Sequence, residues 1–237
     1  MATTSGHTLK AFDQDLDQLR ACIAEMGGRA EAAIRDAMVA LMQHDTDLAS
    51  RVVEEDRKID LLEAEVERNV VQIIALRAPM ADDLRDVVAA LKIATVVERI
   101  GDYAKNIAKR VPLIEVSTSF KPLSLLPEMS RITSEMVRDV LDAFAARDSD
   151  KAVAVCRRDR AVDDFYNSIF RTLLTYMMEN PHNITPAAHL LFIAKNLERI
   201  GDHATNVAEM VYFAATGIQL TDRPMGEDPF RETQAYV

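Results

Sequence analysis

The chain has 237 residues, with 38 Asp or Glu against 28 Lys or Arg, so it carries a formal charge of −10 and offers no cationic face to nucleic-acid phosphates. Apolar residues make up 49%, enough for a packed core, while seven Gly, eight Pro, no Trp and 5% aromatics starve it of turn and strand formers. The expectation is a folded, acidic, all-α protein of one large domain or two small ones.

Leu9, Phe12, Leu16, Leu19, Ile23, Met26, Ala30, Ala33 and Ala37 alternate steps of three and four, the seam of a long first helix from about Thr8 to Gln43. Asp45 or Thr46 can cap a second, whose Val52, Ile59, Val66 and Ile73 fall seven apart before Pro79 stops it. A third starts near Ala81 and Asp82 and runs to about Arg110, short of Pro112. Pro112, Pro122 and Pro127, with Ser117, Thr118 and Ser119, mark a connector. The order then recurs: a helix from about Pro127 to Arg147, one capped by Ser149 and reaching Glu179, and one from Thr185-Pro186 ending before Gly217. The tail, with Pro224, Gly226 and Pro229, reads as irregular.

The halves are duplicates. An offset of 103 carries Asp45-Thr46-Asp47 onto Asp148-Ser149-Asp150, Asp56 onto Asp159 and Asp60 onto Asp163. The second hairpin then loses three residues. At an offset of 100, Ile93 to Ala108 matches Ile193 to Ala208 with ten identities in sixteen positions, among them Glu98-Arg99-Ile100-Gly101-Asp102 and Glu198-Arg199-Ile200-Gly201-Asp202. An amphipathic helix cannot bury its stripe alone, so six long helices should form a tandem pair of pseudo-symmetric three-helix bundles. The expected divisions are 1–113, a connector over 114–126, 127–217, and a tail over 218–237.

Leu84, Leu91 and Glu98 lie seven apart, so Glu98 intrudes where the stripe calls for an apolar residue; Ile184, Leu191 and Glu198 repeat this. Asp102 and Asn106 follow on the same face, as do Asp202 and Asn206. On the preceding helices the pairs Asp56/Asp60 and Asp159/Asp163 flank the seam, so carboxylates from antiparallel neighbours can face each other. Facing carboxylates need a cation, and an all-oxygen set suits Fe, Mn or Mg better than a thiolate-loving ion. Gly101 and Gly201, the sole glycines between Gly28 and Gly217, sit mid-helix at roughly 1 kcal/mol each relative to Ala, which implies that a side chain is unwelcome there. The plainer alternative is neutralisation of Glu98 and Asp102 by Arg99 and Lys105, and of the other copy by Arg199. Duplication with a matched glycine favours the metal. Asp56 and Asp60 are the weaker pair, because Glu54, Glu55, Glu63, Glu65 and Glu67 make that helix acidic all round.

Other signals fall short. Glu179-x-x-His182 has a di-iron spacing but contains Pro181 and has no second copy. His203, in place of Tyr103, reads as a bundle or interface residue, while Cys22, Cys156, Met177 and Met178 read as packing residues. Two isolated thiols make no disulfide framework and fit a reducing cytoplasm. Met1 to Asp15 lacks a secretory signal pattern, and the most apolar stretch, Val87 to Val97, contains Lys92 and is well short of the roughly 20 residues that span a bilayer. Any membrane association is therefore expected through a partner.

The segments VVERIGDYAKNIAKR and NLERIGDHATNVAEMV, with APMADDLRDV, EEDRKID and RRDRAVD, resemble the PhoU family of accessory regulators of phosphate-specific transport, from about Leu9 to Gly217. The resemblance implies metal ligands at Asp56, Asp60, Glu98 and Asp102 in one bundle and at Asp159, Asp163, Glu198 and Asp202 in the other, holding divalent or trivalent ions (Fe, Mn, Mg or Zn). It further implies a cytoplasmic, often homodimeric, non-enzymatic protein that couples the ATPase of a phosphate ABC transporter to a sensor histidine kinase and represses phosphate-starvation genes. A metal-free or metal-binding helical scaffold is one rival. A carboxylate-bridged metalloenzyme is another, although the imidazole ligands it needs are missing.

Overall fold

Two of the helix starts are set by short acidic side chains that satisfy the orphan N–H groups of a first turn. Asp45 accepts from Leu48 N at 2.8 Å, and Asp148, its counterpart in the second half, accepts from Lys151 N at 2.9 Å. The second cap is thus Asp148 rather than Ser149. The residues before the caps, His44 and Arg147, are also counterparts, and both adopt a left-handed backbone with φ of 54°. Duplication therefore reaches down to the backbone of the helix-to-helix corners.

The computed structural model describes residues 4–114 and 121–220, with side chains from Phe12. It contains α1 (Thr4–Gln43), α2 (Thr46–Arg77), α3 (Asp82–Ala108), α4 (Leu126–Ala146), α5 (Ser149–Glu179) and α6 (Ile184–Thr216), with single 3-10 turns at Val111–Leu113, Lys121–Leu125 and Pro181–Asn183. No strand occurs among the described residues. Leu9 of the first seam, Ser117, Thr118 and Ser119 of the connector, and Pro224, Gly226 and Pro229 of the tail lie outside the residues whose side chains are described.

Two trios, α1-α2-α3 and α4-α5-α6, each close on themselves, and the trios meet through α3 on α6 and α1 on α4. Leu19, Ile23, Met26, Val52, Ile59, Val66, Val155, Val162 and Ile169 are buried as their period requires, each contributing about 1.5–3 kcal/mol of apolar transfer. The stripes of α3 and α6 begin later than expected: Leu84 is 39% and Ile184 50% exposed, each in the first turn of its helix. The hairpin tips also differ. Ala78 ends α2 in a left-handed conformation, whereas Asn180 ends α5 extended, ahead of Pro181, consistent with the three-residue deletion.

The α3–α6 contact lies on the pseudo-twofold axis, since the counterparts Tyr103 and His203 touch: their rings stack 5.3 Å apart and the Tyr103 hydroxyl lies 3.1 Å from His203 Nε2. A second tie between the trios has no counterpart. Asp86 of α3, 8% exposed, accepts from Arg147 Nη1 at 2.6 Å and lies 3.7 Å from Arg20 Nη2 of α1. Burial raises its pKa, and Arg147 and Arg20 oppose that rise. Arg147 also reaches the carbonyl of Ala214 in α6, so one carboxylate links α1, α3, α4 and α6.

Candidate metal centres

Each acidic site is built where an antiparallel pair, α2-α3 or α5-α6, closes over a glycine. A Cβ on Gly101 would stand 2.7 Å from Ile59 Cδ1 and 3.4 Å from Asp56 Oδ1; on Gly201 it would stand 3.3 Å from Val162 Cγ1 and 3.5 Å from Asp159 Oδ1. The mid-helix glycines thus lie directly under the Asp of the neighbouring helix. This is the close approach their helix-propensity cost implied.

In the first bundle the carboxylates gather round an ammonium. Lys105, three residues beyond Asp102 on α3, donates from Nζ to both Asp102 Oδ1 and Asp56 Oδ2. Asp56 is 5% exposed, and burial still pushes its carboxyl above the ordinary range against the opposing pull of Lys105. Burial also disfavours the charged lysine, but its bonds to Asp102 and Asp56 outweigh this and keep it protonated. Glu98 is pushed up to about 7 by burial and by the charges of Asp102, Glu63 and Asp60. Asp60 and Asn106 are exposed at the margin.

The second bundle distributes the same residue types differently. Thr205 stands where the first has Lys105, and its hydroxyl donates to the backbone carbonyl of Asp202 at 2.7 Å. A lysine is present at another corner: Lys195, 41% exposed, donates to Glu198 Oε1 at 2.5 Å and lies 5.2 Å from the centre of the Tyr166 ring. Glu198 is 13% exposed at its side chain, and its Oε2 is buried with no hydrogen-bond partner. Burial pushes its pKa up, with Lys195 opposing. Asp159, Asp163 and Asp202 are half-buried, and the charge of Asp202 acts on Glu198.

Among the described residues, no three His, Cys, Asp or Glu side chains are gathered as they stand into a group that could hold a metal ion. The two sites nevertheless differ in their fitness for one. In the second, the buried, unpartnered oxygen of Glu198, which feels the charge of Asp202, is a hard donor of the kind that suits a cation such as Mg, Mn or Fe. In the first, the position between Asp56 and Asp102 is already taken by a covalently held positive charge, and the residues do not fit a metal.

The remaining candidates fall outside the sites. Glu179 and His182 are exposed on either side of the α5 terminus. His203, its pKa lowered by burial and by Arg99 and Arg199, belongs to the α3–α6 contact; Arg199 itself lies 5.7 Å from the Tyr103 ring. Cys22 and Cys156 are buried thiols outside any disulfide, and Met177 packs on the core, but Met178 is 80% exposed rather than packed. Two features escaped the sequence reading, the inter-bundle carboxylate Asp86 and the divergence of positions 105 and 205. The second was visible as a mismatch inside an otherwise matching repeat.

Comparison with known proteins extends the likeness beyond these segments. A family model described as "PhoU domain" matches twice, at residues 23–111 and 126–211, one match per trio. The chain is 58% identical over 227 residues to the "Phosphate-specific transport system accessory protein PhoU homolog" of Zymomonas mobilis, covering 96% of both chains. A protein of the same name from Caulobacter vibrioides is 47% identical over 221 residues, with 92% of this chain and 95% of that one covered. The crystal structure of PhoU from Pseudomonas aeruginosa superposes with a TM-score of 0.83 at 37% identity, over 87% of this chain and all of the other. With both trios matched separately and the relatives matched nearly end to end, this chain belongs to the PhoU family.

Proposed function

We propose that this chain is an accessory regulator of phosphate uptake, which couples the ATPase subunit of a phosphate ABC transporter to a sensor histidine kinase and represses phosphate-starvation genes. The observation that carries this reading is the near-complete coverage shared with relatives named as phosphate-specific transport accessory proteins. The formal charge of −10 supports action through protein partners and not through DNA. No helix among the described residues is long and apolar enough to cross a membrane. We place the protein in the cytoplasm, as a homodimer with no catalytic step of its own.

Such coupling requires a difference in affinity. A ligand that binds two states equally shifts neither, so one bundle surface must hold one transporter state more tightly while the other engages the kinase. In the second bundle Asp159, Asp163, Glu198 and Asp202 would hold a Mg, Mn, Fe or Zn ion, which would supply the positive charge that lets α5 and α6 close over facing carboxylates. The test is a reporter for a starvation gene at high phosphate in parent, deletion and complemented strains. Derepression in the deletion strain is expected. Normal repression there, with no second copy of the gene, would refute the regulatory reading.

A further inference from the structure

We propose that Lys105 is a built-in cation that substitutes for a metal in the first bundle, so that of the two duplicated acidic sites only the second depends on metal supply. Position 105 is Lys where 205 is Thr, position 95 is Thr where 195 is Lys, and position 63 is Glu where 166 is Tyr. The lysine has therefore exchanged corners between the copies. In the first it lies between the helices, 20% exposed, bonded to Asp56 across the α2-α3 gap and to Asp102 on its own helix. In the second it lies at the margin, 41% exposed, on one oxygen of Glu198, whose other oxygen is buried and unpartnered.

A tethered ammonium is always present at its carboxylates, at an effective concentration that free ions in a cell do not match. A divalent ion entering the first site would have to displace it and would then stand close to a second positive charge with little water to screen it. Lys195 presents a weaker barrier, because it is more exposed and can turn into solvent. One scaffold thus carries a copy with a cation held permanently between Asp56 and Asp102 and a copy whose lysine stands at the margin. This proposal rests on the metal reading only for its contrast with the second bundle.

The experiment loads the full chain with manganese(II), removes the excess and measures manganese per chain. The parent and three variants are compared: the doubles E98Q/D102N and E198Q/D202N, and K105T, which copies the second bundle. E98Q/D102N is expected to keep the parent's manganese, E198Q/D202N to lose it, and K105T to gain about one ion per chain. Loss of manganese from E98Q/D102N overturns the proposal. So does a K105T chain that gains none, or that stays unfolded even with manganese present, since a metal could then not replace the lysine. A parent that takes up no manganese ends the second-bundle reading instead, and the gain by K105T still decides this one.

Discussion

The α2-α3 and α5-α6 pairs started as one sequence and still share their glycine, their Glu and Asp and their capping geometry, yet they solve the same electrostatic problem in different ways. In the first, facing carboxylates are neutralised by Lys105 from within; in the second, Lys195 sits at the edge and a buried oxygen of Glu198 has no partner. The lesson is that a repeated acidic motif does not establish a repeated metal site. The residues at the other corners decide whether a cation is needed at all.

The comparison is broken most directly by removing each lysine in chelator. K105T leaves Asp56 buried without its partner, a loss of about 3 kcal/mol or more for a broken buried pair, whereas K195T removes from Glu198 a partner that is itself 41% exposed and should cost less. Equal falls in melting temperature would contradict the assigned difference. The glycines come next. Ala is the better helix former by about 1 kcal/mol, but at Gly101 its Cβ would press on the buried Ile59, and overpacking costs about 1–3 kcal/mol. G101A should therefore melt below the parent. At Gly201 Val162 needs to give only a few tenths of an ångström, so G201A should be near neutral. A G101A variant that melts above the parent would show that α2 and α3 are not in close contact there.

A smaller effect depends on pH. Glu98 has a folded pKa of about 7, above the ordinary 4.5, so the folded state holds more protons between those values. Its contribution to stability is complete below about pH 4.5 and is lost as pH rises through about 7. In metal-free protein, E98Q should gain on the parent over that window; melting curves that run parallel with pH would remove the raised pKa. The smallest difference is expected at the caps. D45A and D148A should each cost about 1 kcal/mol, and by nearly the same amount, because both caps make the same bond. Unequal costs would mean that the corners are less symmetric than their backbones.

Much of the fold was legible because it rests on local rules. The seven-residue seam gave α2 and α5, Pro79 and Pro181 set their ends, and the glycine placement foretold the helix contact. What stayed hidden depended on where a flexible side chain goes. Lys105 is three residues from Asp102, but nothing local says that it spans the gap to Asp56 and does not turn to solvent. Asp86 was read only as part of a family segment, since its partners Arg20 and Arg147 come from helices far away in sequence. Met178 looked like a core residue by composition but falls at the exposed end of α5.

The most direct test of the difference between the copies is crystallographic. Crystals grown with manganese(II), measured near the manganese absorption edge, should show anomalous density between α5 and α6, beside Glu198 and Asp202. None should appear between Asp56 and Asp102, where the Lys105 ammonium remains. Anomalous peaks of similar height in both bundles, with Lys105 turned out to solvent, would contradict the account.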